Sequence, residues 1–101
     1  MGTIKIKIPS SIQVGAMTYK VVVSKVLLRD EGYIGLHSPN NLTITLYEGN
    51  VSQKMEEGLI HELLHAIETS FGMSINEGET HIRTQGILQF LKQLNIELVV
   101  T

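Results

Sequence analysis

The segment His61-Glu62-Leu63-Leu64-His65 sets two imidazoles four residues apart, with a carboxylate beside the first, which is the H-E-x-x-H pattern. On an α-helix, side chains at i and i+4 share a face with Cβ atoms about 5–6 Å apart. Both rings can therefore converge on one Zn²⁺ at about 2.0–2.1 Å. Glu62 is rotated by about 100° from His61, so its carboxylate can reach a water activated by the ion without becoming a ligand, as a general base must. The three fixed positions arise by chance in roughly one in a few hundred chains of this length, which favours the metal over an amphipathic helix with two solvated histidines and a surface glutamate.

A catalytic zinc site wants a third protein ligand and an open position. The chain has no cysteine, so that ligand must be His, Asp or Glu. Downstream stand Glu77, Glu79 and His81. A 3.6-residue period puts Glu77 and His81 on one face and points Glu79 elsewhere. His81 is the preferred third ligand because it aligns with the buried side of its segment, whereas Glu77 lies in an exposed first turn where the helix dipole alone favours it. Glu77 is the alternative. His37, in the loop before residues 42–46, is a candidate hydrogen-bond donor to a tetrahedral oxyanion, ranked below its ordinary reading as a solvated loop histidine, with Tyr33 and Tyr47 after it. Glu68 is a surface charge or a partner to a ligand histidine.

These residues need elements to hold them. Apolar Met55, Leu59, Ile60, Leu63, Leu64, Ile67 and Phe71 recur at three- and four-residue spacing, predicting a helix capped at Asn50 or Ser52 and ended at Gly72. Asn76 with Glu79 predicts the start of a second helix whose core face is Ile82, Ile87, Leu88, Leu91 and Leu94. The first half alternates in period two. Ile4, Ile6 and Ile8 predict a strand with one buried face, ended by Pro9. Ile12 to Val14 and Met17 to Val23 predict a hairpin about Gly15, Tyr33 to Leu36 a short strand, and Leu42 to Leu46 a further strand. Leu27 to Glu31 stays ambiguous, and Ile96 to Val100 can return as a strand. The expected fold is α+β, a small antiparallel sheet followed by two packed helices.

With 101 residues, one small domain spanning 1–101 is expected. Eight basic against ten acidic side chains give a net charge of −2, with no basic field to neutralise phosphates, which argues against nucleic acid and anionic membranes as partners. No apolar run approaches the roughly 18 residues of a membrane span. The first residues lack the apolar core of a signal peptide, so cytoplasm is the expected compartment.

The stretch Leu59-Ile60-His61-Glu62-Leu63-Leu64-His65-Ala66-Ile67, preceded by Ile34-Gly35 and the strand Leu42-Thr43-Ile44-Thr45-Leu46, resembles the small phage and mobile-element zincins of the ImmA/IrrE-like group, over roughly residues 17 to 94. The resemblance implies a short antiparallel sheet, a motif helix and a following helix whose Glu, ahead of an Ala-Asn pair and an apolar run, completes the metal site. Matching Gln85-Gly86-Ile87-Leu88 to that segment puts His81 where the family has Glu, and Gly58 replaces the Thr common before the motif. The resemblance also implies a peptidase acting on a protein substrate such as a transcriptional regulator. The combined expectation is a zinc metallopeptidase with His61, His65 and His81 as ligands, Glu62 as base, and an extended substrate paired to a sheet edge at Leu42 to Leu46. Its rival is a binding or regulatory protein that keeps the scaffold and a structural ion.

Overall fold

The computed structural model describes residues 2–24, 35–47 and 52–100. Eight elements follow in order: β1 (Ile4–Lys7), β2 (Ser11–Val14), β3 (Met17–Ser24), β4 (Gly35–Ser38), β5 (Thr43–Tyr47), α1 (Ser52–Ser70), α2 (Glu77–Gln93) and β6 (Ile96–Val99). The fold is α+β, as expected. Its strands form two groups, a four-stranded sheet in the order β2-β3-β5-β4 and a parallel pair of β1 with β6.

The larger sheet is mixed. β2 with β3 and β4 with β5 are antiparallel, but β3 and β5 run parallel, with Val21 opposite Ile44 and Val23 opposite Leu46. Period-two patterning fixes which side chains face the core, not strand direction, so the expected antiparallel sheet is corrected to a mixed one by the parallel β3–β5 pairing. The β2–β3 hairpin turns at Gly15 and Ala16, with a positive φ of 60° only at Gly15, the position where a II′ turn needs glycine. Tyr19, Ile44 and Leu46 leave this sheet for the core, where they meet Met55, Leu59 and Ala66 of α1.

Helix α1 ends as its sequence predicts. Gly72 takes φ of 68°, the Met73 N–H donates to the Glu68 carbonyl at 2.8 Å, and the Gly72 N–H points at that of Thr69, a Schellman closure. Asn76 caps α2 by accepting the Glu79 N–H at 3.0 Å. The reciprocal half of the capping box is missing because the Glu79 carboxylate takes Arg83 at 3.1 Å instead.

Two expected faces differ from the observed ones. In α2 the buried residues are Thr80, Thr84 and Leu88, while Ile82, Ile87 and Leu94 of the expected core face are exposed. In β1, Ile4 and Ile6 are exposed, because the strand pairs along β6 and is not laid on the main core. Tyr33, Ile34, the ambiguous stretch Leu27 to Glu31 and the cap candidate Asn50 lie outside the described residues. Among the described residues no helix is long and apolar enough to cross a membrane.

Candidate metal centre

Helix α1 faces three ways at its middle. Leu59 and Ala66 point into the core, His61 and His65 point along a cleft, and Glu62 sits between, only 8% exposed. The cleft has a volume of about 810 Å³ and runs between β4 and the two helices, with Gly35, His37, His61, Glu62, Glu77 and His81 among its lining residues.

His61, His65 and Glu77 come together, each offering one ligand atom within 4.8 Å of the others. His61 Nε2 lies 3.1 Å from Glu77 Oε1, and His65 Nε2 lies 3.0 Å from Glu77 Oε2. The two imidazoles meet edge to face with centroids 4.7 Å apart. Donor atoms around a tetrahedral ion with bonds of about 2.0–2.1 Å are separated by about 3.3 Å, so the measured separations suit one small cation.

The chemistry of the donors fits as well. His65 Nδ1–H donates to Glu68 Oε1 at 2.9 Å, so in the neutral ring Nε2 carries a lone pair. That lone pair faces a carboxylate oxygen. Two acceptors at this distance need a cation between or on them, and a proton serves when no metal does. Accordingly, although burial pulls the His65 pKa down, the Glu68 hydrogen bond and the charges of Glu77 and Glu62 outweigh it and hold the ring above the ordinary histidine value.

Glu62 is gripped by β4. A Cβ on Gly35 would lie 3.0 Å from Glu62 Cγ and 2.9 Å from Leu46 Cδ2, so only glycine lets the strand approach this closely. The nearby His37 backbone favours the charged form of the Glu62 carboxylate. Burial raises the Glu62 pKa above the usual range, against the opposing pull of His61 and His65. A carboxylate in that state can both take and return a proton.

The sequence-predicted residues divide clearly. His61, His65 and Glu62 are at the centre. His81 lines the cleft but is exposed and outside the donor cluster, and Glu77 occupies the position expected for it. Both share one face of α2, as the periodicity requires, but the histidine pair meets the first turn of that helix, one turn ahead of His81. Exposure of the Glu77 side chain, 72%, did not exclude it, since contact with both rings comes from its carboxylate tip. Glu79 pairs with Arg83, away from the cluster.

His37 belongs to β4, not to a loop, and its Nε2 shares a hydrogen bond with the Tyr19 hydroxyl at 2.9 Å. Burial and the charge of His65 lower its pKa, favouring the neutral ring. Tyr33 lies outside the described residues, and Tyr47 is not among the cleft-lining side chains. The expected edge strand is also relocated: β5 is enclosed between β3 and β4, and among the described residues β4 is the outer strand that lines the cleft.

Sequence reasoning missed Tyr19, Gly35 and Thr80. Tyr19 and Gly35 become visible only once strand order is known. Thr80 gave a weak signal, a threonine four residues before Thr84 on one helical face.

No protein-family model matches the chain, and neither a curated protein nor a solved structure is similar to it.

Proposed function

We propose that the protein is a small zinc-dependent peptidase in which His61, His65 and Glu77 hold the ion and Glu62 is the general base. The observation that supports this best is the meeting of two imidazole lone pairs and a carboxylate within 4.8 Å, beside a buried carboxylate that is not one of them. A purely architectural ion has no need of Glu62. Two nitrogens and one carboxylate oxygen suit zinc among common divalent ions. Bound there, zinc supplies Lewis acidity, polarising a carbonyl and lowering the pKa of water from 15.7 toward about 7.

The remaining work belongs to the chain. Glu62 accepts a proton from the attacking water and returns it to the leaving amine, with its side chain held against β4 by the close approach of Gly35. Among the described residues β4 is the outer strand of its sheet, and its edge offers backbone groups to an extended peptide, while Leu36, exposed beside the cleft, gives that peptide an apolar contact. The substrate is thus an unfolded or extended segment of a protein, a regulator being the case the family resemblance suggests, and the proposal places the reaction in the cytoplasm of a cell carrying a phage or mobile element.

Glu62→Gln tests the reading. The variant should keep about one zinc per chain by elemental analysis, because no ligand is changed, and should lose about 10²-fold or more in cleavage of an unstructured test protein. Full cleavage by the Gln variant, or absence of zinc after reconstitution of the unaltered protein, would overturn it. Zinc without cleavage in the unaltered protein would favour the scaffold reading.

A further inference from the structure

Behind His65, on the side away from the ligand cluster, lies a chain of buried polar groups that metal ligation does not itself require. Glu68 is 3% exposed and Thr80 is fully buried. Glu68 Oε1 takes the His65 Nδ1 proton at 2.9 Å, and Glu68 Oε2 takes the Thr80 hydroxyl proton at 2.8 Å. The Arg83 guanidinium stands 3.8 Å from Glu68 Oε2.

We propose that Glu68 and Thr80 are positioning residues that lock His65 in the Nδ1–H tautomer and aim its Nε2 at His61 and Glu77. The purpose of the lock rests on the metal-site reading, whereas its existence rests on the hydrogen bonds alone. A neutral imidazole carries one N–H, and the nitrogen that carries it cannot be a ligand. Both ring nitrogens face a carboxylate, and an ionised carboxylate only accepts. Glu68 is buried and meets Nδ1 at 2.9 Å, whereas Glu77 is 72% exposed and shared with His61. Glu68 is therefore the stronger acceptor, assigns the proton to Nδ1 and leaves Nε2 bare. A buried carboxylate in turn needs donors to hold its own orientation, and Thr80 is the neutral one.

Thr80 lies three residues after Glu77, so the first turn of α2 grips both sides of the same ring. Glu77 meets Nε2 directly and Thr80 reaches Nδ1 through Glu68. Docking of α2 and orientation of the ligand are then one event. Thr84 provides the contrast. It is equally buried and one turn further along, but its hydroxyl donates to the Thr80 carbonyl at 2.8 Å, a bond within the helix. The Thr80 hydroxyl has a comparable acceptor in the Asn76 carbonyl at 3.0 Å. The charged and nearer Glu68 oxygen distinguishes it.

Two measurements on the full chain test the lock: zinc affinity by chelator competition, and the His65 tautomer by long-range ¹⁵N–¹H NMR of metal-free protein at a pH where the ring is neutral. The unaltered protein should show Nδ1–H. Glu68→Met should mix the tautomers and weaken zinc binding about 10- to 100-fold. Thr80→Val should weaken it about fivefold, the scale of one lost hydrogen bond, and Thr80→Ser should restore it. Glu68→Gln, whose amide oxygen accepts the same proton, should keep the tautomer. Thr84→Val controls for a buried hydroxyl lost from the same face and should change neither reading. If Thr80→Val and Thr84→Val behave alike, or if Glu68→Met leaves His65 wholly Nδ1–H, the lock is refuted. If the unaltered protein binds no zinc, the peptidase reading fails, and the tautomer spectra decide the lock by themselves.

Discussion

Helices α1 and α2 are close in length, 19 and 17 residues, and pack against one another, yet they bury different kinds of surface. α1 carries a buried apolar edge of Met55, Leu59 and Ala66 beside its functional residues. α2 turns two threonines and one leucine inward and leaves Ile82 and Phe90 to solvent at 70% and 61% exposure. The first helix is held by the core. The second is held in large part by polar contacts that also build the site: Thr80 with Glu68, Gln85 with Glu57 at 3.0 Å, and Glu77 with the histidine pair. An element docked by its functional groups can be positioned by what those groups bind.

The largest expected effect tests the apolar half of this contrast. Leu59 is fully buried in α1 among sheet residues, and Leu59→Ala should destabilise by about 2–5 kcal/mol in urea unfolding. Leu88→Ala on α2, where the side chain is 9% exposed, should fall at or below the lower end of that range. Equal losses would remove the distinction between the helices.

That distinction explains what could be read in advance. The H-E-x-x-H segment, the glycine stop at Gly72 and the Asn76 cap are local, and each is found where its spacing put it. The face of α2 is not local. Its apolar residues outnumber its threonines, so periodicity pointed to Ile82 and Leu94, while the buried direction is set by partners on α1 that lie 12 or more residues away in sequence, such as Glu68 for Thr80. The choice between Glu77 and His81 fails to resolve for the same reason. Both lie on one face, and their difference is a distance along the helix axis, fixed only when the helices dock. Likewise Tyr19 reaches His37 across 18 residues through a strand order that alternation does not encode.

The next effect separates those two residues. Glu77→Gln should weaken zinc binding by at least about tenfold, because the neutral amide is a poor ligand and its loss unpairs both imidazoles, whereas His81→Ala should change affinity by less than about threefold. Calorimetric or competition titration of both variants measures this. A reversed order would return His81 to the ligand set and imply that α2 slides along α1 by a turn on binding.

A smaller effect follows from the charges of the metal-free site. His65 is held above its ordinary value, so its contribution to stability is complete below about pH 6.5 and is lost as pH rises through the folded-state value. Glu68 is the opposite case: burial pushes it up, but the hydrogen bonds from His65 and Thr80 outweigh that and hold it below the carboxylate range. Its contribution is complete above about pH 4.3 and is lost as pH falls through the folded value. The two overlap between those limits. In chelator-treated protein, the melting temperature of the unaltered chain should exceed that of Glu68→Gln by more at pH 5.5 than at pH 8. A gap that widens toward pH 8 would mean that the pair does not tie the helices together.

The smallest expected effect is the most direct check on the outer face of α2. Ile82 and Phe90 lie two turns apart on one side of the helix, with Gly86 between them and nothing within 4 Å of where its Cβ would stand. Side chains this exposed have little burial to lose, so Ile82→Ser and Phe90→Ser should each change stability by no more than about 0.5 kcal/mol. The same substitutions leave Glu77, Thr80 and Thr84 untouched on the opposite face, so zinc affinity should stay within about twofold of the unaltered protein. A loss above about 1 kcal/mol in either variant would show that this face is covered in solution, and the docking of α2 would then depend on apolar burial as that of α1 does.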